Sequence, residues 1–471
     1  MMSREEIFGR EEKLIEDMGK KGCGYMGKVV SYPGGRYEEM GSIYIDLTSP
    51  HCMLVLGKRG TGKSYTLGVM AENFANLDSD VKENISVIMV DTMSVFHGLK
   101  TENTNDYEVD RLKDFNQLSP RSFGEEIDTY MPKLALDTYD EDERPEHDHL
   151  LQFPLNEVGA NEWLSLFGLD STDPVGTDLM KTLRELKRKK EYYDFNDLYE
   201  EIDRQAKEET KDSIKNYFQQ MESLKIFTKK SSSFDMMTKG GKINILDMSY
   251  LGRLKGYDVR NLLVSLIAEK LLKKRTLFST LEMQAEAGML DPKLKEKVTE
   301  NPIVYMIIDE GHLFLPAEGK TIASDVLIDW VKLGRHPGLS LILATQEPSA
   351  LHESAIRQSD LILSHNLTSH DDIEALGKAR QSYMKKGKDI QSVVSTMEFK
   401  RGLTVIFDDK TRKMEMCRIR PRMSLHTGMD ASALPEKKKD EDDRSQDDPE
   451  EAKENKDLED EDKKDFPKIV G

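Results

Sequence analysis

Short apolar runs rich in valine, isoleucine and leucine recur between Cys52 and Arg420, and they alternate with longer patterns typical of helices. Runs of this kind are typical of strands that are buried on both faces of a parallel sheet. The alternation therefore predicts an α/β fold in which helices cover a mostly parallel sheet. Seven strands are predicted: Cys52–Leu56, Ile85–Val90, Ile243–Asp247, Ile303–Ile308, Ser340–Thr345, Asp360–Ser364 and Leu403–Phe407.

Changes in composition divide the chain into five parts. We expect a short N-terminal segment at 1–50, the first part of the sheet core at 51–99, a helical insertion at 100–239, the second part of the core at 240–434 and a disordered acidic tail at 435–471. The insertion is strongly charged, with helical patterns at 161–169, 178–190 and 195–227. In the second part of the core, a helix is predicted from Val259 to about Lys274, with Asp258 as its N-cap.

The composition of the 471 residues limits the class of protein. Hydrophobic residues make up 37% of the chain, which suffices for a full core, and no apolar run approaches the ~18 residues of a membrane span. The N-terminus lacks the apolar stretch of a secretory signal, so we expect a cytoplasmic protein. Residues 435–471 carry 16 acids and nine bases with few apolar side chains, so they cannot offset the entropy of ordering.

A glycine-rich stretch at 57–64, Gly-Lys-Arg-Gly-Thr-Gly-Lys-Ser, directly follows the first predicted strand and opens a helical pattern. This is the phosphate-binding P-loop pattern in the context that it needs. Glycines let backbone amides close around phosphates, and the helix N-terminus favours negative charge. Lys63 would reach the β and γ phosphates of a nucleotide, and the Ser64 hydroxyl would ligate Mg²⁺. The predicted nucleotide-binding residues are Gly57, Gly60, Thr61, Gly62, Lys63 and Ser64.

Two adjacent carboxylates directly follow the predicted strand Ile303–Ile308. A P-loop site needs a second acid near Mg²⁺ and, for hydrolysis, a base that activates water. Asp309 is predicted to hold the metal, and Glu310 to orient and deprotonate the attacking water. An ordinary exposed turn is the alternative for such a pair when it stands alone.

Two further polar residues are candidates for the same chemistry. Gln346 directly follows the predicted strand Ser340–Thr345. Because ligands of open α/β sheets lie beyond the carboxyl ends of the strands, the Gln346 amide can sense the γ-phosphate. Arg335 follows a helical pattern and is either a finger that reaches the nucleotide of a neighbouring subunit or a cation at a helix C-terminus. The first alternative requires a ring of subunits.

Together these motifs resemble the HerA/FtsK superfamily of P-loop motor ATPases, and most closely its HerA-like group. The resemblance rests on the P-loop, on Asp309-Glu310-Gly311-His312, on Gly334-Arg335 and on the Ala-Thr-Gln-Glu-Pro-Ser string at 344–349. It implies a P-loop NTPase fold of the RecA/ASCE type, with ATP and Mg²⁺ as ligands. It also implies a hexameric ring that hydrolyses ATP and translocates DNA, with a separate nuclease or effector protein as partner. Under this resemblance Arg335 is the finger in trans and Gln346 the sensor.

The sequence also departs from the HerA pattern. Those proteins carry an N-terminal β-barrel of about a hundred residues, whereas 56 residues precede Gly57 here, so the barrel is expected to be truncated or absent. The acid and glycine that follow the second core strand in the family are replaced by the stretch at 91–96, Asp-Thr-Met-Ser-Val-Phe. Ring assembly and partner docking are the functions that these departures affect.

DNA binding has the least support in the sequence. The net charge is −19, whereas phosphate binding rests on clustered lysines and arginines. The strongest basic cluster lies at 181–190 beside Tyr192 and Tyr193, and it either lines a pore or is a solvated helix face. A rival hypothesis is a nucleotide-gated oligomeric scaffold that positions a partner without moving DNA. A DNA-pumping coupling protein would need a membrane-tethering partner.

Overall fold

The computed structural model describes residues 5–31, 38–140, 144–231, 233–251, 258–289, 301–379, 394 and 401–428. The predicted acidic tail at 435–471 lies outside these ranges. Among the described residues, no helix is both long enough and apolar enough to cross a membrane.

Thirteen strands of the described residues form one sheet, in the order β1-β3-β2-β15-β14-β13-β4-β12-β11-β5-β10-β6-β7, and two more form a small second sheet. The strands are β1 (Glu5–Phe8), β2 (Cys23–Ser31), β3 (Glu38–Asp46), β4 (Cys52–Leu56), β5 (Ile85–Asp91), β6 (Ile127–Met131), β7 (His149–Leu150), β8 (Phe153–Pro154), β9 (Phe227–Thr228), β10 (Ile243–Asp247), β11 (Ile303–Ile308), β12 (Leu339–Thr345), β13 (Leu361–Ser364), β14 (Leu403–Asp408) and β15 (Lys413–Ile419).

Helices connect these strands and cover the sheet. They are α1 (Glu12–Met18), α2 (Lys63–Ala75), α3 (Ser79–Lys82), α4 (Asp106–Leu112), α5 (Lys133–Leu136), α6 (Ala160–Phe167), α7 (Pro174–Lys189), α8 (Phe195–Gln205), α9 (Glu208–Ser223), α10 (Ser233–Met237), α11 (Val259–Glu286), α12 (Ser324–Leu333), α13 (Glu353–Gln358) and α14 (His370–Ala379). Short 3₁₀ turns occupy His97–Lys100, Leu155–Glu157, Ser249–Leu251, Gly311–Leu313 and Pro348–Ala350.

All seven predicted strands are confirmed, with ends that differ by one residue at most. From β13 to β7 every neighbouring pair in the sheet is parallel, whereas β14, β15 and β2 pair in antiparallel fashion. Alternate residues of β4 enter different cores: Leu54 and Leu56 pack on one face of the sheet, and Met53 and Val55 on the other. Two-sided burial explains why these strands are continuous apolar runs.

The N-terminal segment extends the central sheet. The hairpin of β2 and β3 joins the sheet through pairs between β2 and β15, and β1 pairs with β3 in parallel. The segment at 100–239 contains the predicted helices, but it also supplies β6 and β7 to the sheet edge. Within it, the pattern at 195–227 is divided into α8 and α9 and ends in β9. The division is fixed by Asp178, whose carboxylate accepts hydrogen bonds from the backbone of Lys207 and from the Thr210 hydroxyl.

The helix predicted to end near Lys274 is longer than expected. Its N-cap is confirmed, because the Asp258 side chain accepts a hydrogen bond from the backbone of Asn261. The helix then continues to Glu286 as α11. The predicted end was wrong because the sequence from Arg275 to Glu286 contains no glycine or proline and is rich in residues that favour helix. The Arg275 guanidinium also anchors this extension by donating to the carbonyl of Pro337 at 2.6 Å.

Candidate active site

The P-loop connects the buried strand β4 to helix α2, and three of its glycines adopt positive φ. The φ angles are 155° at Gly57, 76° at Gly60 and 112° at Gly62, in the region that favours glycine. A Cβ added at Gly57 would lie 2.6 Å from Thr61 Oγ1 and 2.7 Å from His365 Cβ. The glycines therefore allow a loop conformation and a close approach that other residues would disturb.

Lys63 is folded back onto its own loop. Its Nζ donates to the carbonyl of Lys58 at 3.2 Å, and the Thr61 hydroxyl donates to the same carbonyl at 2.7 Å. Burial lowers the pKa of Lys63, and the nearby carboxylates of Glu310 and Asp309 act in the opposite direction. An ammonium group in such a site gains from an anionic ligand, because phosphate oxygens offer better acceptors than one loop carbonyl.

Ser64 and Asp309 meet at the start of α2. Ser64 Oγ donates to Asp309 Oδ2 at 2.9 Å, and Asp309 is only 3% exposed. Burial raises the pKa of Asp309, the charge of Glu310 raises it further, and the hydrogen bond from Ser64 opposes both. A hydroxyl oxygen and a carboxylate oxygen that lie side by side are ligands that suit Mg²⁺. The residues present therefore fit a magnesium ion bound beside nucleotide phosphates.

Glu310 has a backbone conformation that is unusual for a residue other than glycine. Its φ and ψ are 53° and 50°, in the left-handed region that residues other than glycine rarely adopt. Gln346 Nε2 donates to Glu310 Oε1, whereas Glu310 Oε2 is buried and has no hydrogen-bond partner among the described residues. The nitrogen of His312 closest to Oε2 lies 3.5 Å away and is hydrogen-bonded to the Thr345 hydroxyl. Glu310 thus holds one oxygen available for a further donor.

The order of strands in the sheet brings these residues together. Strand β12 lies between β4 and β11, with Thr345 paired to Leu56 and Leu343 paired to Ile308. The P-loop, Gln346 and the carboxylates at 309–310 each follow the carboxyl end of one of these three parallel strands. They consequently share one edge of the sheet, which is where open α/β sheets bind ligands.

Arg335 lies apart from this group. It follows α12 and precedes β12, so it is placed at the amino-terminal edge of the strand whose carboxyl end carries Gln346. Strand β12 has seven residues, which corresponds to about 20 Å at the usual rise per residue. Arg335 is exposed, and the backbone of Gly338 donates to its carbonyl at 3.3 Å. The structure therefore does not bring Arg335 to the P-loop of the same chain.

The stretch at 91–96, where the sequence departs from the HerA pattern, begins with Asp91, the last residue of β5. Asp91 is buried, and its carboxylate accepts hydrogen bonds from the backbone of Met93, Val95 and Phe96. Burial raises the pKa of Asp91 to about 6, with Asp247 as a further cause. Ile308 of β11 pairs with Val90 of β5. Asp309 and Asp91, the residues that follow this pair, therefore occupy equivalent positions at the ends of two adjacent strands. An acid therefore lies at the carboxyl end of β5, the strand next to β11, and the backbone of residues 93–96 holds its carboxylate.

His365 is a site residue that the sequence analysis missed. It is fully buried behind the P-loop, with Nδ1 2.9 Å from the carbonyl of Leu403 and Nε2 3.0 Å from Thr66 Oγ1. Burial lowers the pKa of His365 to about 4, so the neutral ring accepts from Thr66. A signal was present, because His365 directly follows the predicted strand Asp360–Ser364 at the same edge of the sheet.

The basic cluster on α7 is largely paired. Lys189 lies 2.6 Å from Glu201, Arg188 lies 2.8 Å from Glu185, and Lys190 pairs with Asp197. Lys187 donates to the carbonyl of Val158. Tyr193 is fully buried and Tyr192 is 38% exposed. Three cations of the cluster thus have an acidic partner, as expected of a solvated helix face, and the pore alternative stays a prediction.

Several solved structures resemble the fold. VirB4 of Thermoanaerobacter pseudethanolicus is 14% identical, with a TM-score of 0.47, and the match covers 84% of this chain and 96% of that one. The bacterial conjugative coupling protein TrwBdeltaN70 is 13% identical, with a TM-score of 0.45 and coverage of 81% and 87%. The genome packaging NTPase B204 from Sulfolobus turreted icosahedral virus 2 is 12% identical, with a TM-score of 0.33 and coverage of 79% and 98%.

No curated protein sequence matches the chain significantly. The family model described as "Helicase HerA, central domain" does match, over residues 30–274, which is more than half of the chain. The matched segment includes β4, the P-loop and α2, and it ends within α11. The predicted P-loop NTPase fold, a mostly parallel sheet with helices, is confirmed. The chain belongs to the family of the HerA helicase central domain.

Proposed function

We propose that this chain is an ATP-hydrolysing motor that assembles into a ring and moves DNA. The observation that carries the proposal is the 2.9 Å hydrogen bond between Ser64 Oγ and Asp309 Oδ2, which unites the P-loop with the acid pair. Membership of the HerA family supports the same function. In this function ATP is the substrate and Mg²⁺ the metal cofactor.

The residues of the P-loop bind and orient the phosphates. The amides of Gly60, Thr61 and Gly62 close around them. The Thr61 amide and Lys63 Nζ, which both donate to the carbonyl of Lys58 in the structure, leave it for the phosphates, and Lys63 contacts the β and γ phosphates. Ser64 and Asp309, whose side-chain oxygens lie 2.9 Å apart, would hold the metal. When bound, Mg²⁺ withdraws charge from the phosphate oxygens and so supplies Lewis-acid chemistry.

Glu310 orients the attacking water and takes its proton. Its Oε2 is buried and lacks a hydrogen-bond partner among the described residues, so it can accept from the water. Gln346 holds the other oxygen, Oε1, and thereby fixes the direction of the carboxylate. Because Gln346 follows β12 at the nucleotide edge, contact between its amide and a γ-phosphate would reorient Glu310. We assign Gln346 as the sensor on this basis.

Arg335 acts on the nucleotide of a neighbouring subunit. Its exposed position at the opposite edge of the sheet supports a role in trans, since the length of β12 separates it from the P-loop of its own chain. A guanidinium delivered across an interface stabilises the charge that develops on the transferring phosphoryl group. If each subunit supplies Arg335 to the nucleotide site of the next, every site is complete only when the subunits form a ring. We propose that the ring is a hexamer and that it works with a separate nuclease or effector protein.

The test combines hydrolysis, assembly and DNA binding. We expect duplex DNA to raise the ATPase rate of the wild type, and Glu310→Gln to bind DNA and ATP without hydrolysis. Mass measurement with and without ATP and Mg²⁺ should show a ring. A wild type that shows neither DNA stimulation nor DNA binding at low salt would exclude the motor function.

The rival scaffold makes different predictions for the same variants. If ATP binding only assembles a ring that positions a partner, Lys63→Ala abolishes assembly whereas Glu310→Gln leaves function intact. The motor instead requires both residues. The geometry of Glu310 favours hydrolysis, since a scaffold has no need of a carboxylate held by Gln346 with one free oxygen.

A further inference from the structure

Three cations surround one carboxylate on the antiparallel side of the sheet. Glu39 Oε2 lies 3.4 Å from Lys28 Nζ, and Glu39 Oε1 lies 3.5 Å from an Arg111 nitrogen and 3.8 Å from Arg418 Nε. We call these four side chains the Glu39 cluster. The cluster holds three positive charges and one negative charge, which is unusual in a chain with 87 acids and 68 lysines and arginines.

The fold forces the cations of the Glu39 cluster together. Lys28 on β2 and Arg418 on β15 are directly paired across the two strands. Like charges in this position destabilise a sheet unless an anion lies between them. Burial lowers the pKa of Arg418, and the charge of Arg111 lowers it further. Arg418 Nε is buried without a hydrogen-bond partner among the described residues. Lys28 and Arg111, whose side chains are 24% and 30% exposed, share the single carboxylate of Glu39 with Arg418, so the cluster has unused capacity for an anion.

Two acids on the neighbouring helix α4, Glu108 and Asp110, are already engaged in separate contacts. On α4, Glu108 accepts a hydrogen bond from Asn103 Nδ2 at 2.7 Å, and Asp110 lies 3.1 Å from Lys113. These carboxylates therefore have partners of their own besides the cations of the cluster.

Aromatic rings accompany the cations. The Arg111 guanidinium lies 5.8 Å from the ring centroid of Tyr107 and 5.5 Å from that of Phe115, and Lys28 Nζ lies 4.9 Å from the Phe115 ring. Phe115 is buried, whereas Tyr107 is 71% exposed. Cations combined with an exposed aromatic side chain are typical of surfaces that bind nucleic acid, where the cations contact phosphates.

The cluster is also connected to the P-loop by hydrogen bonds. Arg418 Nη1 donates to the carbonyl of Arg401 at 2.8 Å, and the next residue, Gly402, donates from its backbone to the carbonyl of Thr61 at 3.4 Å. Ile419, next to Arg418, in turn donates to the carbonyl of Gly402 at 2.8 Å. Two backbone segments thus connect the cations to the nucleotide loop.

From these contacts we propose that the Glu39 cluster binds phosphodiester groups of the DNA backbone, with Lys28, Arg111 and Arg418 as the phosphate ligands. This inference rests on the proposed function, because it names the surface with which the motor holds DNA. A phosphodiester would relieve the repulsion between the paired cations. Through the hydrogen bonds of Arg401 and Gly402, binding of a phosphodiester would affect the position of Thr61 in the P-loop.

The test is the salt dependence of DNA binding by the full chain, with a labelled duplex as probe. Each phosphate contact to duplex DNA contributes about 0.9 to the slope of log affinity against log salt concentration. For the double variant Lys28→Gln, Arg111→Gln we expect the magnitude of this slope to be smaller than that of the wild type by about one to two. Arg111→Lys should retain the slope. The matched control is Lys113→Gln, which removes an exposed cation just beyond α4 and should leave the slope unchanged. Thermal unfolding confirms that each variant is folded.

The outcomes separate this inference from the proposed function. Wild type that does not bind DNA at low salt overturns the motor function itself. Wild type that binds DNA, together with a double variant of unchanged slope, overturns the assignment of the cluster. A double variant that raises KM for ATP while keeping its slope also overturns it, because the cluster would then serve the nucleotide.

Discussion

Ser64 Oγ donates a hydrogen bond of 2.9 Å to Asp309 Oδ2, although the two residues are 245 positions apart in the chain. The contact depends on the order of the sheet, in which only β12 separates β4 from β11. It positions two oxygen ligands of the kind that Mg²⁺ prefers at the N-terminus of a helix. The proposed chemistry of the P-loop and of Glu310 depends on this contact.

Replacing either member of this pair should affect hydrolysis through the metal. For Ser64→Ala and Asp309→Asn we expect a higher Mg²⁺ requirement and an ATPase rate that falls at least about a hundredfold, since metal stabilisation contributes several kcal/mol to the transition state. The measurement is the rate as a function of Mg²⁺ concentration. Ser223→Ala, at an exposed serine on α9, is the control. An unchanged Mg²⁺ dependence in both variants would refute the assignment.

Glu310→Gln should separate binding from chemistry. The amide keeps the shape of the side chain but cannot take a proton from water, so we expect the ATPase rate to fall by about 10²–10⁴-fold. The affinity for ATP should stay within a few-fold of the wild type, as measured with a fluorescent analogue. The exposed Glu318→Gln serves as control. A Glu310→Gln variant that hydrolyses ATP at the wild-type rate would show that another group is the base.

The trans role of Arg335 predicts complementation between two inactive variants. Lys63→Ala subunits retain Arg335, and Arg335→Ala subunits retain Lys63. In a ring assembled from equal amounts of both, about one site in four combines an intact Lys63 with an intact Arg335. We therefore expect each variant alone to be inactive and the mixture to recover a measurable fraction of the wild-type rate. If the mixture stays inactive while rings form, Arg335 does not act across the interface.

Much of the site could be predicted because its signals are local in sequence. The P-loop shows its glycines and Lys63 within eight residues, and Asp309, Glu310 and Gln346 each follow an apolar strand. The carboxyl-edge rule then predicts that they meet. His365 obeys the same rule, but a single histidine after a strand carries no motif of its own.

Other features depend on contacts between distant parts of the chain and could not be predicted. The break between α8 and α9 depends on Asp178, which binds the backbone of Lys207 from another helix. The Glu39 cluster requires β2 to pair with β15, which lie almost 390 residues apart, and no periodicity in either strand reveals that partner. The paired cations of α7 were ambiguous for a similar reason, since Glu201 and Asp197 belong to a separate helix.

A buried ion network should hold the C-terminal segment of the described chain to the P-loop helix. Glu72 on α2 is fully buried, 2.6 Å from Arg420, and it also accepts hydrogen bonds from the backbone and hydroxyl of Ser424. Arg422 lies 3.6 Å from the same carboxylate. Removing the charge with Glu72→Gln leaves two buried guanidinium groups without their counter-ion. We expect the free energy of unfolding to fall by about 3–5 kcal/mol, as measured by urea denaturation.

The control for this network is an exposed ion pair. Arg188 lies 2.8 Å from Glu185 on the surface of α7, and its side chain is 73% exposed. Because water and salt screen such pairs, Arg188→Gln should change the stability little. If Glu72→Gln were as mild as Arg188→Gln, the buried network would not stabilise the fold.

His51 should make the stability depend on pH near neutrality. It is buried, with Nδ1 2.7 Å from Asp360 Oδ2 and Nε2 3.8 Å from Asp46 Oδ2, and the two acids also contact Lys410 and Arg10, respectively. Burial alone would lower the pKa of His51, but its interactions with Asp360 and Asp46 outweigh burial and raise it above 6.5. The folded state therefore binds the proton more tightly than the unfolded state does.

This difference in proton binding fixes the direction of the pH effect. The stabilisation from protonated His51 is fully present below pH 6.5 and is lost as the pH rises through the higher pKa of the folded state. We expect the free energy of unfolding of the wild type to fall as the pH rises above about 6.5, and that of His51→Gln to change less over the same range. Urea denaturation at several pH values measures both. Parallel pH profiles for the two proteins would mean that His51 keeps its ordinary pKa in the folded state, because a group contributes to the pH dependence only through the difference between its folded and unfolded pKa.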